Sequence, residues 1–252
     1  MKTESILLLH TRNTSQPQKQ TSSQSKGLGK IYQSNGPQKL AVVAILISNK
    51  IDFKLKSVKR DKEGHLILVT GKIHQEEISI LNIYAQNTRA PSYIKEILLK
   101  LKSYIKPHTL RVGDFNTPLS PLDRSVRQKM NREIRELTDV MTQMDLTDIY
   151  RLFHPNRKEY TFFSAPHGNF SKIDYILGNK TNLNKYKKIG ITQCTLSDHH
   201  ALKLEVNSNT ISRKHTNTWK LNNAHLNHQW VKEEIKGEIK DFLKFNENDH
   251  TT

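Results

Sequence analysis

Cysteine is almost missing from this chain. Cys194 is its one thiol among 252 residues. No internal disulfide can form, and a reducing, intracellular setting fits, nucleus or cytoplasm. A lone cysteine is more often an inert, buried residue than a catalytic one. Long apolar runs are missing too. Nothing approaches the roughly 18 residues a membrane span needs. The stretch Ser5–Leu9 is too short for a secretory signal core and lacks its flanks. Acidic residues are scarce beside basic ones, 24 against 40, for a formal net charge of +16. Such an excess calls for a polyanionic partner, either nucleic acid or an acidic membrane surface.

The chain divides into three parts. Residues 1–25 are rich in Ser, Thr and Gln after Leu9 and nearly devoid of apolar side chains there. Such a segment cannot feed a core, and disorder is expected. Residues 26–206 have the patterning of a globular domain. AVVAILIS, 41–48, is a continuous apolar run of strand length. Residues 53–59, 65–73 and 77–84 are further β-rich runs, and an antiparallel sheet is expected from this group. Pro91 opens a helix with Ile94, Ile97, Leu98, Leu101 and Ile105 on one stripe. A strand over 110–113 follows, then helices over 126–144 and 147–153. Residues 160–164, 172–177 and 201–206 read as short strands. This alternation predicts an α/β domain of two packed sheets with helices outside. Residues 207–252 are expected to form a polar linker and an exposed amphipathic helix over 221–245.

Four phrases carry candidate chemistry. GDFN, 113–116, follows an apolar strand. Asp114 and Asn116 are two apart and share a side if strand geometry persists. Asp114 suits water activation or leaving-group protonation, and Asn116 suits donation to a phosphate oxygen. An Asx turn is the simpler explanation of GDFN taken alone. SDHH, 197–200, puts Asp198 beside His199, so the acid can hold the imidazole or reach a metal. NIYAQN, 82–87, ends a strand with Tyr84 and Asn87 available to a phosphate. SKIDYIL, 171–177, places Asp174 in an apolar strand, a costly position for an unpartnered carboxylate. TFFS, 161–164, lies just upstream as a substrate-facing loop.

The order NIYAQN, GDFN, TFFS, SKIDYIL, SDHH resembles the exonuclease–endonuclease–phosphatase family. Whole phrases go further: GDFNTPLSPLDRSVRQK, EYTFFSAPHGNFSKIDYILGNK and TWKLNN are similar to the endonuclease domain of a mammalian long interspersed, non-LTR retrotransposon polyprotein. The resemblance runs from about Lys26 to the end. It implies a DNase-I-like two-sheet α/β sandwich flanked by helices. It implies a monomeric, magnesium-dependent hydrolase that nicks DNA and leaves a 3′-hydroxyl to prime reverse transcription. Carried over by position, Asp114 handles the water or leaving group. Asn116 and Tyr84 hold the scissile phosphate. His199 contacts that phosphate or acts as base, positioned by Asp174 or Asp198, and Asp198 can also reach metal. Asn87, Arg124, Thr161 and Ser171 fall at phosphate and DNA contacts.

The pattern breaks at the start. The family opens with two strands, one carrying an LNVNG-like phrase and the next the metal-binding Glu in a QETHL-like phrase. Neither phrase is in this sequence, and Glu4 is the one acidic residue in its first fifty. The expected domain is therefore an incomplete sandwich lacking the first strands of the fold, with impaired metal binding. One permitted coding of Ile6–Ser15, read one nucleotide later, contains Gln-Glu-Thr-His, which suggests an out-of-frame start. The nucleotide sequence decides that point: no QETHL phrase in either other frame removes the idea. The alternative readings are a catalytically dead remnant that binds nucleic acid, and a pseudogene-like product without function.

Overall fold

The computed structural model describes residues 6–10, 29–36, 41–73, 76–126, 129–194, 197–207 and 229–246. The chain forms two compact units, Met1–Ser208 and Asn209–Thr252.

In the first unit, β1 (Ile6–His10), β2 (Lys30–Asn35) and β3 (Ala41–Ile47) make a three-stranded antiparallel sheet with β3 in the middle. Then come β4 (Phe53–Arg60), β5 (Leu66–Ile73), β6 (Glu76–Tyr84), helix α1 (Ala90–Lys100) and β7 (Thr109–Asp114). Helix α2 (Arg132–Gln143), β8 (Leu146–Asp148) and the short helix α3 (Ile149–Phe153) follow. The unit closes with β9 (Phe162–Ser164), β10 (Asn169–Ser171), β11 (Asp174–Asn179), β12 (Tyr186–Thr192) and β13 (Ala201–Val206). A six-stranded mixed sheet runs in the order β4-β5-β6-β7-β11-β8. Within it, β6 and β7 are parallel, joined across by α1.

Alternation on β5 explains the layers. Leu66 and Leu68 face α1 and α2, packing with Ile94, Leu98, Leu137 and Met141. Ile67 and Val69 face the other way, onto Val43, Ile45 and Ile47 of β3. Side chains alternate along a strand, so a sheet covered on both faces needs apolar residues at every position. Ile189 of β12, with Leu202 and Leu204 of β13, extends that second core. A buried amide joins the two sheets: Asn82 Nδ2 donates to the Ala44 carbonyl at 3.0 Å. The result is a two-sheet α/β sandwich with helices outside.

Several expectations need correction. The run 41–47 does not join β4–β6 but forms the centre of the facing sheet. Disorder over 1–25 fails at Ile6–His10, which is apolar enough to pair along β3 from Ile6↔Ile47 to His10↔Val43. One flank of β3 is thereby covered. The helix expected from 126 starts at Arg132, where Asn131 caps it by accepting from Ile134 N at 2.9 Å. The helix expected over 147–153 starts only at Ile149, because 146–148 pair with β11 and Asp148 serves as the cap. Strands β2, β10 and β12 were not anticipated. Cys194 is half-buried rather than enclosed.

The second unit contributes α4 (Gln229–Asn246), close to the expected helix. Residues 221–228 of that expectation lie outside the described residues. Ile239 is exposed, and Lys236 pairs with Glu233 one turn back.

Candidate active site

Three adjacent strands end in one row. Tyr84 at the end of β6 is level with Asp114 at the end of β7. Asp114 is in turn level with Asp174 at the start of β11. Sheet register alone thus gathers three residues that are far apart in sequence.

The local chain makes Asp114 hard to move. Gly113 sits at φ 129°, where a Cβ would lie 2.0 Å from the Ile83 carbonyl oxygen and 2.8 Å from Asn82 Oδ1. Only glycine tolerates that approach. Asp114 is fully buried, and Phe115 next to it is enclosed, its N–H donating to Ile173 O at 2.8 Å. Asn116 adopts a left-handed conformation, φ 47°. Its N–H donates to Asp114 Oδ1 at 2.8 Å, and its Nδ2 donates to Ala85 O at 2.7 Å and to Asp114 Oδ2 at 3.2 Å. The Asx turn is real, and it serves the site by fixing the carboxylate and the amide against each other.

His199 closes the group. Its Nδ1 donates to Asp174 Oδ2 at 2.8 Å, which turns Nε2 toward Asp114, 4.0 Å from Oδ2. The ring tilts against Phe162 at 4.9 Å between centroids. Asp174, not Asp198, orients the imidazole. Asp198 is exposed and acts on His199 through charge. Burial pushes the imidazole toward its neutral form. The hydrogen bond from Asp174 and the charges of Asp174, Asp114 and Asp198 outweigh it, so the pKa stands above its ordinary value.

Thr161 is not at the surface, as a phosphate contact would require. It is fully buried, and its Oγ1 accepts from Ile173 N at 3.1 Å and Asp174 N at 3.2 Å. Its carbonyl accepts from His200 N at 2.7 Å. Thr161 ties the Asp174 strand to the His199 loop. Arg124 and Ser171 form a bridge between the 119–126 loop and β10, both half-buried. Asn87 is exposed beyond β6, and among the described residues no contact joins it to the acids.

The support beneath this row has no local signature in the sequence. Lys172 is completely buried, its Nζ 2.8 Å from Asp148 Oδ2 and 3.6 Å from the centre of the Tyr175 ring. Arg151 Nη2 meets Asp123 Oδ1 at 2.6 Å. Tyr175 OH donates toward Asp123 Oδ2 and accepts from Leu119 N at 2.8 Å. Burial pulls the Lys172 ammonium pKa down against the opposing pull of Asp148 and Asp123. These hydrogen bonds span 24 to 56 positions, so no local motif reveals them.

Asp114, Asp174 and His199 present one ligand atom each within 4.8 Å of one another, the one such trio among the described residues. As a magnesium cage it fits poorly. Magnesium takes oxygen ligands in near-octahedral geometry. Here one donor is an imidazole nitrogen, Asp174 Oδ2 is engaged by that imidazole, and Asp114 Oδ1 by a backbone N–H. The same three groups fit proton handling and phosphate charge neutralisation well.

A two-sheet α/β sandwich with an Asp–His–Asp row at its strand ends defines a phosphodiester-type hydrolase scaffold. The profile of the Endonuclease/Exonuclease/phosphatase family matches residues 24–199, and the chain belongs to that family. A transposon TX1 protein of 149 kDa from Xenopus laevis, uncharacterized, is 22% identical over 189 residues. That match covers 73% of this chain but only 14% of the relative. Among solved structures, the endonuclease domain of TRAS1, a telomere-specific non-LTR retrotransposon, superposes with a TM-score of 0.56 at 14% identity. It covers 70% of this chain and 79% of that one. An AP endonuclease from Leishmania major gives 0.58 at 13% identity, over 72% and 71% of the two chains. At such identities these likenesses speak for the fold.

Proposed function

We propose that this chain is a DNA-nicking phosphodiesterase domain of the non-LTR retrotransposon type, with its proton-handling half built and its magnesium held weakly. The observation that carries this reading is the Asp174–His199–Asp114 row. Asp174 fixes the ring, so Nε2 faces the space beside Asp114. The raised pKa keeps the ring protonated further toward neutral pH, where it neutralises a non-bridging phosphate oxygen. Asp114 takes the proton of the attacking water. The Tyr84 hydroxyl holds the phosphate, and Asn116, whose two Nδ2 protons go to Ala85 O and Asp114 Oδ2, keeps the Asp114 carboxylate in place. The likeness to the TX1 protein and the TRAS1 domain supports the retrotransposon class, and the basic composition supports DNA as substrate. Magnesium, when bound, supplies further charge neutralisation at the phosphate.

The test is nicking of supercoiled plasmid across a magnesium titration, beside Asp114→Ala and His199→Ala. The expected result is slow nicking that needs millimolar-range metal and falls at least ~100-fold in each variant. Nicking that survives both substitutions overturns the assignment. A second reading has its own observation behind it, the absence of a QETHL-like phrase. It is a remnant that binds DNA without cutting it. A folded sample that retains DNA and never nicks it establishes that reading instead.

A further inference from the structure

A second charged surface starts at the opposite end of the six-stranded sheet and runs along its β4 edge. Lys54 of β4 and Lys72 of β5 are direct cross-strand partners, and both are exposed. Like charges so placed repel. Lys72 is also level with Glu77 of β6, and Glu77 already binds Lys106 at 2.8 Å and Lys56 at 3.3 Å. Two ammonium groups therefore share one carboxylate, and two more stand in the same cross-strand row. Lys106 and Lys56 hold its pKa below the ordinary glutamate value. Further along β4, Lys59 places its Nζ 3.0 Å from the centre of the Tyr104 ring, and Tyr104 is 52% exposed.

Edge strands carry lysines to prevent strand-on-strand pairing. That need is met by Lys54, Lys56 and Lys59 on β4. It does not account for Lys72 on the inner strand, for Lys106 before β7, or for a half-exposed tyrosine among them. A row of cations with an exposed aromatic is how proteins track single-stranded nucleic acid, cations to phosphates and ring to base. The surface is lateral to the active site at Lys59, which is level with Leu68 and Leu81, three residues before Tyr84 and two strands across, and it is farthest from the site at Glu77. Glu77 is seven residues before Tyr84 on the same strand, roughly 23 Å at about 3.3 Å per residue.

We infer that the face formed by Lys54, Lys56, Lys59, Lys72, Lys106 and Tyr104 is a docking site for single-stranded nucleic acid, distinct from the catalytic row.

The experiment measures binding of fluorescein-labelled oligo(dT) and oligo(rU), each about 15 nucleotides, by fluorescence anisotropy at several salt concentrations. The patch variant is Lys54→Glu/Lys59→Glu/Lys72→Glu. The control is Lys180→Glu/Lys187→Glu/Lys188→Glu, which removes the same charge from exposed positions elsewhere. The patch variant is expected to lose about ten-fold more affinity than the control, with a shallower salt slope. Tyr104→Ala is expected to weaken binding about five-fold or more. Binding is measured without magnesium, which keeps this inference separable from the nicking reading, because binding is read whether or not the protein cuts. A neutral Lys54→Gln/Lys72→Gln variant and a thermal melt guard against misfolding. Equal losses in patch and control overturn the proposal. Preference between the two oligonucleotides assigns the strand as DNA or RNA.

Discussion

At the scale of single residues, the His199–Asp174 bond sets the pH behaviour of the site. In the unfolded chain His199 returns to its ordinary value, about 6.5. In the fold its value is higher, despite burial, because of Asp174 and the other two carboxylates. A raised pKa gives stability that is complete below the unfolded value and is lost as pH rises through the folded one. Asp174→Asn should therefore lower the melting temperature more at about pH 5.5 than at about pH 9. A charge-assisted hydrogen bond is worth roughly 1.5–3 kcal/mol, so a drop of several degrees is expected at the lower pH. An equal drop at both pH values would remove the charge from the explanation. Gly113→Ala tests a different strain. The left-handed φ costs about 1–3 kcal/mol for a non-glycine residue. The contact with Ile83 O adds to it and presses on the strand that carries Tyr84. Urea unfolding should show a loss of about 3 kcal/mol or more, and nicking should fall with it. A variant as stable as the parent would mean that the β6–β7 spacing is looser than described.

Those site residues were legible because each is an acid, amide or histidine at the end of an apolar run. The roles of Thr161 and Lys172 were not. Thr161 bonds to backbone groups twelve and thirteen positions away, and Lys172 to a carboxylate 24 away. A sequence window sees a threonine in a polar loop and a lysine before a strand. It does not see that both are enclosed.

At the scale of elements, the sequence showed where strands are more clearly than which strands pair. The runs in β3, β5 and β6 are similarly apolar, so nothing in β3 says that it belongs to the facing sheet. Its burial comes from β5 and β6 beneath it, a long-range fact. The strand β1 was hidden by the Ser, Thr and Gln that follow it. The strand β7 carries the oddest residue of the set. Arg111 is 2% exposed, its Nη1 donates to the Thr109 carbonyl, and its Nε finds no acceptor among the described residues. Burial lowers its pKa to about 10, against a small opposing effect of Tyr186. A guanidinium taken out of water without a carboxylate is costly. Arg111→Met keeps the length and removes the charge, so it should hold or raise the melting temperature at neutral pH. A clear drop would show that the guanidinium contributes more than the carbonyl bond at Thr109. Nicking should not change, since Arg111 lies three residues before Asp114 on the sheet and touches none of the site groups.

At the scale of the molecule, net charge dominates association. An excess of sixteen positive charges attracts any polyanion, and neutralised phosphates release their counterions. Duplex binding by the His199→Ala protein should then fall steeply with salt. Six to ten phosphate contacts correspond to a loss of about 10³–10⁵ in affinity between roughly 50 and 200 mM. Nitrocellulose retention of a labelled duplex across that range measures it. The result also bears on catalysis. A phosphate drawn in by lysines across the surface arrives at a row whose own charge is mixed, two carboxylates against one imidazolium. Magnesium would offset that local repulsion, yet the trio offers it few free oxygens. Weak metal binding and strong DNA binding are therefore expected together. If duplex affinity changes less than ten-fold over that salt range, long-range charge is not what brings DNA to this fold. The row at the strand ends would then have to recognise its phosphate unaided.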